Sequence, residues 1–209
     1  MIINVVSAGK SAEVTLPELF IKTFSGCELD GDDTYLTLIN HAAIIESMTF
    51  ALQELNLDVY GSCKRIILSA MDKVMIRQYA DLFPGLPFEL WTNKEQAQFA
   101  SAVTPHLRYS TDLSQHGYGY TGTATLFEVL QQFSYADCIN LYGFDMVEGA
   151  GVSKLDGKLP ESDRWKQERE EFRGILQAFD VNGLAFNWHT EDGVISEYFG
   201  VFERLGDVL

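Results

Sequence analysis

Short apolar runs rich in β-branched and aromatic residues alternate with stretches of helical periodicity along the chain, and that alternation leaves few folds open. The runs are Ile2–Ser7, Thr34–Asn40, Arg65–Ala70, Phe88–Thr92, Cys138–Phe144 and Leu184–Trp188. The first, third and fifth are apolar nearly throughout, as strands covered on both faces must be. Between them lie helical patterns at Ala42–Leu55, Val74–Phe83, Lys94–Ala102, Thr121–Tyr135 and Asp163–Phe179, the last with Ser162 as N-cap. Gly193–Leu205 reads as a final amphipathic helix. Strands that alternate with helices predict an α/β fold with a mainly parallel sheet and helices on both faces. No linker or repeat breaks the 209 residues, so one domain over 1–209 is expected.

Charge narrows the partners. Fifteen Lys and Arg stand against thirty Asp and Glu, a net charge of −15. Nucleic acid, heparin-like polymers and anionic membranes are gripped through clustered cations, so the balance argues against all of them. No apolar stretch approaches the roughly 20 residues that span a bilayer. Met1 runs straight into Ile2–Val6 without a basic n-region, so a cytoplasmic chain is expected. Cys27, Cys63 and Cys138 lack a CxxC spacing and read as thiols. His41, His106, His116 and His189 are scattered, with no pair at i,i+3 or i,i+4, so no zinc site is expected.

Ligands of parallel sheets bind beyond the carboxyl ends of the strands. After the first run comes Ser7-Ala8-Gly9-Lys10-Ser11. A Walker A loop would need glycine where Asn4 stands, so Gly9 and Ser11 mark a tight turn: either a phosphate contact or a plain strand-to-helix turn. Asn40 ends the second run and suits either a base or sugar edge, or an Asx turn. The richest stretch is His116-Gly-Tyr-Gly-Tyr-Thr121-Gly122-Thr123, then a helix, then Cys138-Ile-Asn-Leu-Tyr-Gly143-Phe144-Asp145. A helix opening at Thr121 points free N–H groups and partial positive charge toward an anionic group held without metal.

Thr121-Gly122, the helix and the strand ending in Tyr-Gly-Phe resemble the small sialylmotif of sialyltransferases. Gly143-Phe144-Asp145 is also similar to the Gly-x-Asp of the small bacterial members. The resemblance implies a single-domain, Rossmann-like (modified GT-A type) glycosyltransferase that uses a CMP-activated sugar as donor substrate, a glycan as acceptor, and neither cofactor nor metal. It implies that Gly9 and Ser11 approach the phosphate or ribose and that Asn40 contacts the nucleotide. Thr121 and Gly122 would meet the donor carboxylate or phosphate, while Gly143, Phe144 and Asp145 shape the cytidine and sugar pocket.

The sequence departs from the family's pattern in two places. Trp165 stands where the catalytic histidine falls, with Asp163 nearby. His189, at the end of the last run, is the expected base, and Asp163 is the other candidate. Tyr118 and Tyr120 stand in for the tyrosines that follow Gly-x-Asp in the bacterial enzymes. Gly149–Pro160, within a loop spanning 147–161, reads as a lid or an idle loop. The charge run Glu168–Glu171, with Lys166, Arg169 and Arg173, reads as a solvated helix face. Two other readings stay open: a non-catalytic nucleotide- or sugar-binding domain, and a pterin pyrophosphokinase-like transferase using Asp30, Asp32 and Asp33.

Overall fold

A computed structural model describes residues 1–9, 11–12, 34–53, 64–86, 88–104, 108–146 and 162–206. Its strands are β1 (Ile2–Val6), β2 (Thr34–Ile39), β3 (Lys64–Ser69), β4 (Glu89–Thr92), β5 (Arg108–Asp112), β6 (Cys138–Tyr142), β7 (Phe186–Thr190) and β8 (Gly193–Ile195). Its helices are α1 (Glu46–Gln53), α2 (Lys73–Leu82), α3 (Lys94–Val103), α4 (Thr121–Gln132), α5 (Ser162–Val181) and α6 (Tyr198–Leu205). Short 3-10 turns cover Asn40–Ile44 and Leu113–His116. The fold is α/β, and all eight strands form one sheet in the order β5-β4-β3-β2-β1-β6-β7-β8. Every neighbouring pair is parallel except β7 and β8.

That order dictates where the helices go. From β1 the chain walks to β5 in one direction, then returns to place β6 on the other side of β1. Right-handed crossovers put the helices of the two walks on opposite faces. The strands divide accordingly, because successive side chains point to opposite faces. Val6, Leu38, Ile66, Leu68 and Leu90 pack with Met48, Met75, Ile76 and Ala100 of α1, α2 and α3. Ile3, Val5, Ile67 and Trp91 pack with Leu126 and Val129 of α4, Phe172 and Leu176 of α5, and Val201 of α6. Burying each of these larger side chains stabilises the fold by about 1.5–3 kcal/mol.

Caps set several boundaries. Asp72 accepts from Met75 N at 2.9 Å and starts α2; Asn93 accepts from Gln96 N at 2.9 Å and starts α3. The predicted helix over Ala42–Leu55 is split, with Ile45 extended between the 3-10 turn and α1. Ser162 belongs to α5 as its first residue.

Two strands differ from expectation. β5 reads RYSTD, and its polar edge sequence carries no apolar run. Gly193–Ile195 is not helical but folds back on β7 as an antiparallel hairpin. Gly193 makes the turn at φ +137, which L side chains rarely adopt, so the helix begins only at Tyr198.

Candidate functional site

The walk reverses between β1 and β6, and a crevice beyond their carboxyl ends is where an open α/β sheet takes its ligand. Both loops leaving these strands carry glycine, and the structure packs them against each other. Gly9 N donates to Gly143 O at 2.9 Å, and Ser7 N donates to Tyr142 O at 2.8 Å. A Cβ on Gly9 would lie 2.4 Å from Gly143 O and 2.6 Å from Asp145 Oδ2. A Cβ on Gly143 would lie 2.2 Å from Ser7 O. Asp145 is 6% exposed and accepts from Ser11 N at 3.3 Å and from the Ser11 hydroxyl. Gly9, Ser11, Gly143 and Asp145 thus form one cross-braced corner. Lys10 lies outside the described residues.

Asn40 stands at the same edge, just past β2, in the left-handed region at φ 49 that Asn tolerates. Its carbonyl accepts from Tyr79 OH at 2.8 Å, and the same hydroxyl reaches Ser69 O at 3.2 Å. Burial, then the Asp72 charge, hold the Tyr79 hydroxyl well above its ordinary pKa, so it remains a donor. The Asn40 Oδ1 is buried and has no hydrogen-bond partner among the described residues.

Phe144 is committed to the core. It is 2% exposed and its ring stacks on Phe172 with centroids 5.4 Å apart. Its carbonyl accepts from Trp188 Nε1 at 2.9 Å, which fastens the loop after β6 to β7.

Thr121 and Gly122 do open α4, and a Cβ on Gly122 would lie 3.8 Å from Phe144 Cε1, so this turn adjoins the corner. The amino end of α4 is already covered by α5. Glu171 Oε2 accepts from Thr123 Oγ1 at 2.5 Å, and Glu168 Oε1 lies 3.5 Å from the same Gly122 Cβ position. Tyr120 OH donates to Gln167 Oε1 at 3.3 Å. The expectation of a wholly solvated face at Glu168–Glu171 is therefore corrected. Glu168 and Glu171 turn toward the positive end of α4, a placement worth about 0.3–1 kcal/mol each.

His189 lies on β7 beside Tyr142 of β6, because Leu141 pairs with Trp188 one residue earlier. The two rings stack with centroids 4.2 Å apart and planes at 16°. Burial first, and then Cys138, push the Tyr142 hydroxyl up to about 12. Below this stack runs a row that was not foreseen. Asn4, Asn140 and Asn187 are in register on β1, β6 and β7. Asn140 Nδ2 donates to Asn4 Oδ1 at 2.9 Å, Asn187 Nδ2 to Asn140 Oδ1 at 3.0 Å, and Ser196 Oγ to Asn187 Oδ1 at 2.8 Å. The only trace in the sequence is one Asn interrupting each of three apolar runs.

Asp163 is in the first turn of α5, and its side chain lies outside the described part. So do the loop 147–161 and the acidic group Asp30, Asp32 and Asp33. Among the described residues, no three His, Cys, Asp or Glu gather to hold a metal ion, and no helix is long and apolar enough to cross a membrane. Comparison with protein-family models, with curated proteins and with solved structures found no match.

Proposed function

We propose that the corner between β1 and β6 binds a nucleotide-linked small molecule, and that the chain is a sialyltransferase-like glycosyltransferase. It transfers a sugar from a CMP-activated donor to an acceptor hydroxyl on a Rossmann-like scaffold. One observation carries the reading. At the sheet's reversal, two glycine loops close on each other, and beside them Asn40 keeps a buried Oδ1 that no described donor satisfies. A buried acceptor calls for a donor, and the amino or hydroxyl group of a nucleoside supplies one.

In this reading the acceptor oxygen attacks the anomeric carbon, the bond from that carbon to the phosphate oxygen breaks, and CMP leaves. The acceptor proton passes to His189, whose ring plane is set by its stack on Tyr142. Asp163, on the first turn of α5, is the other candidate for that proton. Positioning at the Gly9 turn supplies the rest of the catalysis.

A second reading has its own support. Glu168 and Glu171 crowd the amino end of α4, and Asp145 lies in the corner itself. These carboxylates favour an uncharged sugar or nucleoside held without turnover. Calorimetric titration with CMP, CDP and cytidine separates the two. Heat with CMP supports the transferase, and heat with cytidine alone supports the binding domain. Silence from all three at millimolar ligand would sink both.

A further inference from the structure

His116 ends the 3-10 turn that follows β5, at the carboxyl edge of the sheet but away from the β1–β6 corner. Its Nε2 lies 2.5 Å from Glu128 Oε2 on α4. An ionised carboxylate only accepts, so Nε2 carries a proton, and in the neutral ring Nδ1 presents its lone pair. The other carboxylate oxygen is fixed too. Gln132 Nε2 donates to Glu128 Oε1 at 2.7 Å and to Thr111 Oγ1 at 2.8 Å.

The backbone is shaped for this arrangement. The register of β5 against β4 slips between Leu90 and Trp91, which pair with Tyr109 and Thr111 and leave Ser110 extra. Such a bulge re-aims its neighbours. Ser110 Oγ reaches Glu89 Oε2 at 3.2 Å while Thr111 reaches Gln132. Gly117 follows His116 at φ +76, which turns the chain away and leaves the imidazole on α4.

Burial is graded along the relay. The Glu128 side chain is 11% exposed and the His116 side chain 21%. The ring lies 4.7 Å from Phe127, which in turn lies 5.1 Å from Tyr118. Burial and then Glu171 hold the Tyr118 hydroxyl above its ordinary pKa, so this wall is uncharged.

We propose that His116 Nδ1 is the hydrogen-bond acceptor for a neutral, hydroxyl-bearing ligand that lies along Phe127 and Tyr118, and that Glu128 is its positioning residue. The ligand hydroxyl donates a hydrogen bond to Nδ1 and keeps its proton, and the Glu128 carboxylate holds the ring in the Nε2–H form that leaves Nδ1 able to accept. Glu128 faces His116 and the charge of Glu171 reaches Tyr118, so an anionic ligand is disfavoured. The site stands independently of the β1–β6 reading.

The test uses diethyl pyrocarbonate at neutral pH, with modified histidines mapped by mass spectrometry. The Nδ1 lone pair attacks a carbonyl carbon, ethyl carbonate leaves and the Nε2 proton is released. His116 is expected to react faster than N-acetylhistidine run alongside. Glu128→Gln is expected to slow it by roughly tenfold or more, because losing the orienting carboxylate frees the other tautomer. Gln132→Leu, which loosens the brace and keeps the pair, is expected to slow it less, and it serves if Glu128→Gln does not fold. Imidazole nitrogen NMR of the whole chain should show the Nε2–H form. A wild-type rate no faster than N-acetylhistidine, variants that react at the wild-type rate, or an Nδ1–H tautomer would each overturn the proposal.

Discussion

Gly143→Ala tests the corner most directly, because two separate costs meet at that residue. Its φ of +70 lies in the left-handed region, where an alanine costs about 1–2 kcal/mol. The added Cβ would also stand 2.2 Å from Ser7 O and 2.8 Å from Ala12 Cβ. Overpacking typically costs about 1–3 kcal/mol, and a backbone carbonyl yields less than a side chain. The sum is about 2–5 kcal/mol, a large share of the roughly 5–15 kcal/mol that holds an ordinary domain together. Gly85→Ala is the control. It has φ +79 and nothing within 4 Å of the new Cβ, so it carries the backbone cost alone. Gly9→Ala supplies the opposite case, with no left-handed φ but a Cβ 2.4 Å from Gly143 O. Equilibrium unfolding in urea reads all three, with the slope checked for constancy so that midpoints report stability. A Gly143→Ala variant within about 0.5 kcal/mol of Gly85→Ala would refute the argument, since the packing of the two loops would then contribute nothing.

Two further outcomes follow from the same structure. Asn140→Leu takes a donor from Asn4 Oδ1 and an acceptor from Asn187 Nδ2, and is expected to cost about 1–3 kcal/mol in urea unfolding; a neutral substitution would mean the row is idle. In alkali, burial keeps the Tyr142 hydroxyl neutral up to about 12, and that of Tyr79 well above its ordinary value. A raised pKa means their stabilisation is full below the unfolded value near 10, and is lost as pH rises from there through the folded one. Absorbance at 295 nm should show Tyr142 and Tyr79 among the last of the nine tyrosines to ionise, together with unfolding, with Tyr118 and Tyr109 also raised. All nine titrating at the ordinary midpoint in a natively folded chain is the contrary result.

The parallel sheet was legible because strands covered on both faces need nearly continuous apolar runs, and β1, β3 and β6 have them. β5 was not, since an edge strand needs only one neighbour and RYSTD can remain polar. β8 was hidden because Val194 and Ile195 continue into the apolar spacing of α6, with only Ser196 and Glu197 between them. The glycines of the corner stood out as turns. That they press on each other depends on β1 pairing with β6, a contact 134 residues apart for Ser11 and Asp145. His116 looked isolated because its partner is 12 residues on, across a loop and two helical turns. A scan at i,i+3 and i,i+4 does not reach it.

The charge of −15 is not spread passively over this molecule. Helix α4 begins at the carboxyl edge, where its free N–H groups would draw a phosphate from solution. Instead Glu171 holds the Thr123 hydroxyl there, and Glu168 sits against Gly122. Asp145 fills the same role at Ser11, where a second set of N–H groups begins a helical turn. The chain's own carboxylates therefore occupy both places where an open parallel α/β sheet usually meets an anion. An incoming phosphate must compete with them at close range, where like charges repel most strongly. The Asn40 side-chain Oδ1 is buried without a described donor and the His189 ring stacks on Tyr142, so recognition at this edge rests on amides, hydroxyls and ring faces. A neutral sugar or nucleoside moiety fits this edge better than an anionic group does. On the proposed transferase reading, discrimination among donors should then follow their hydroxyl and amino groups more closely than their charge.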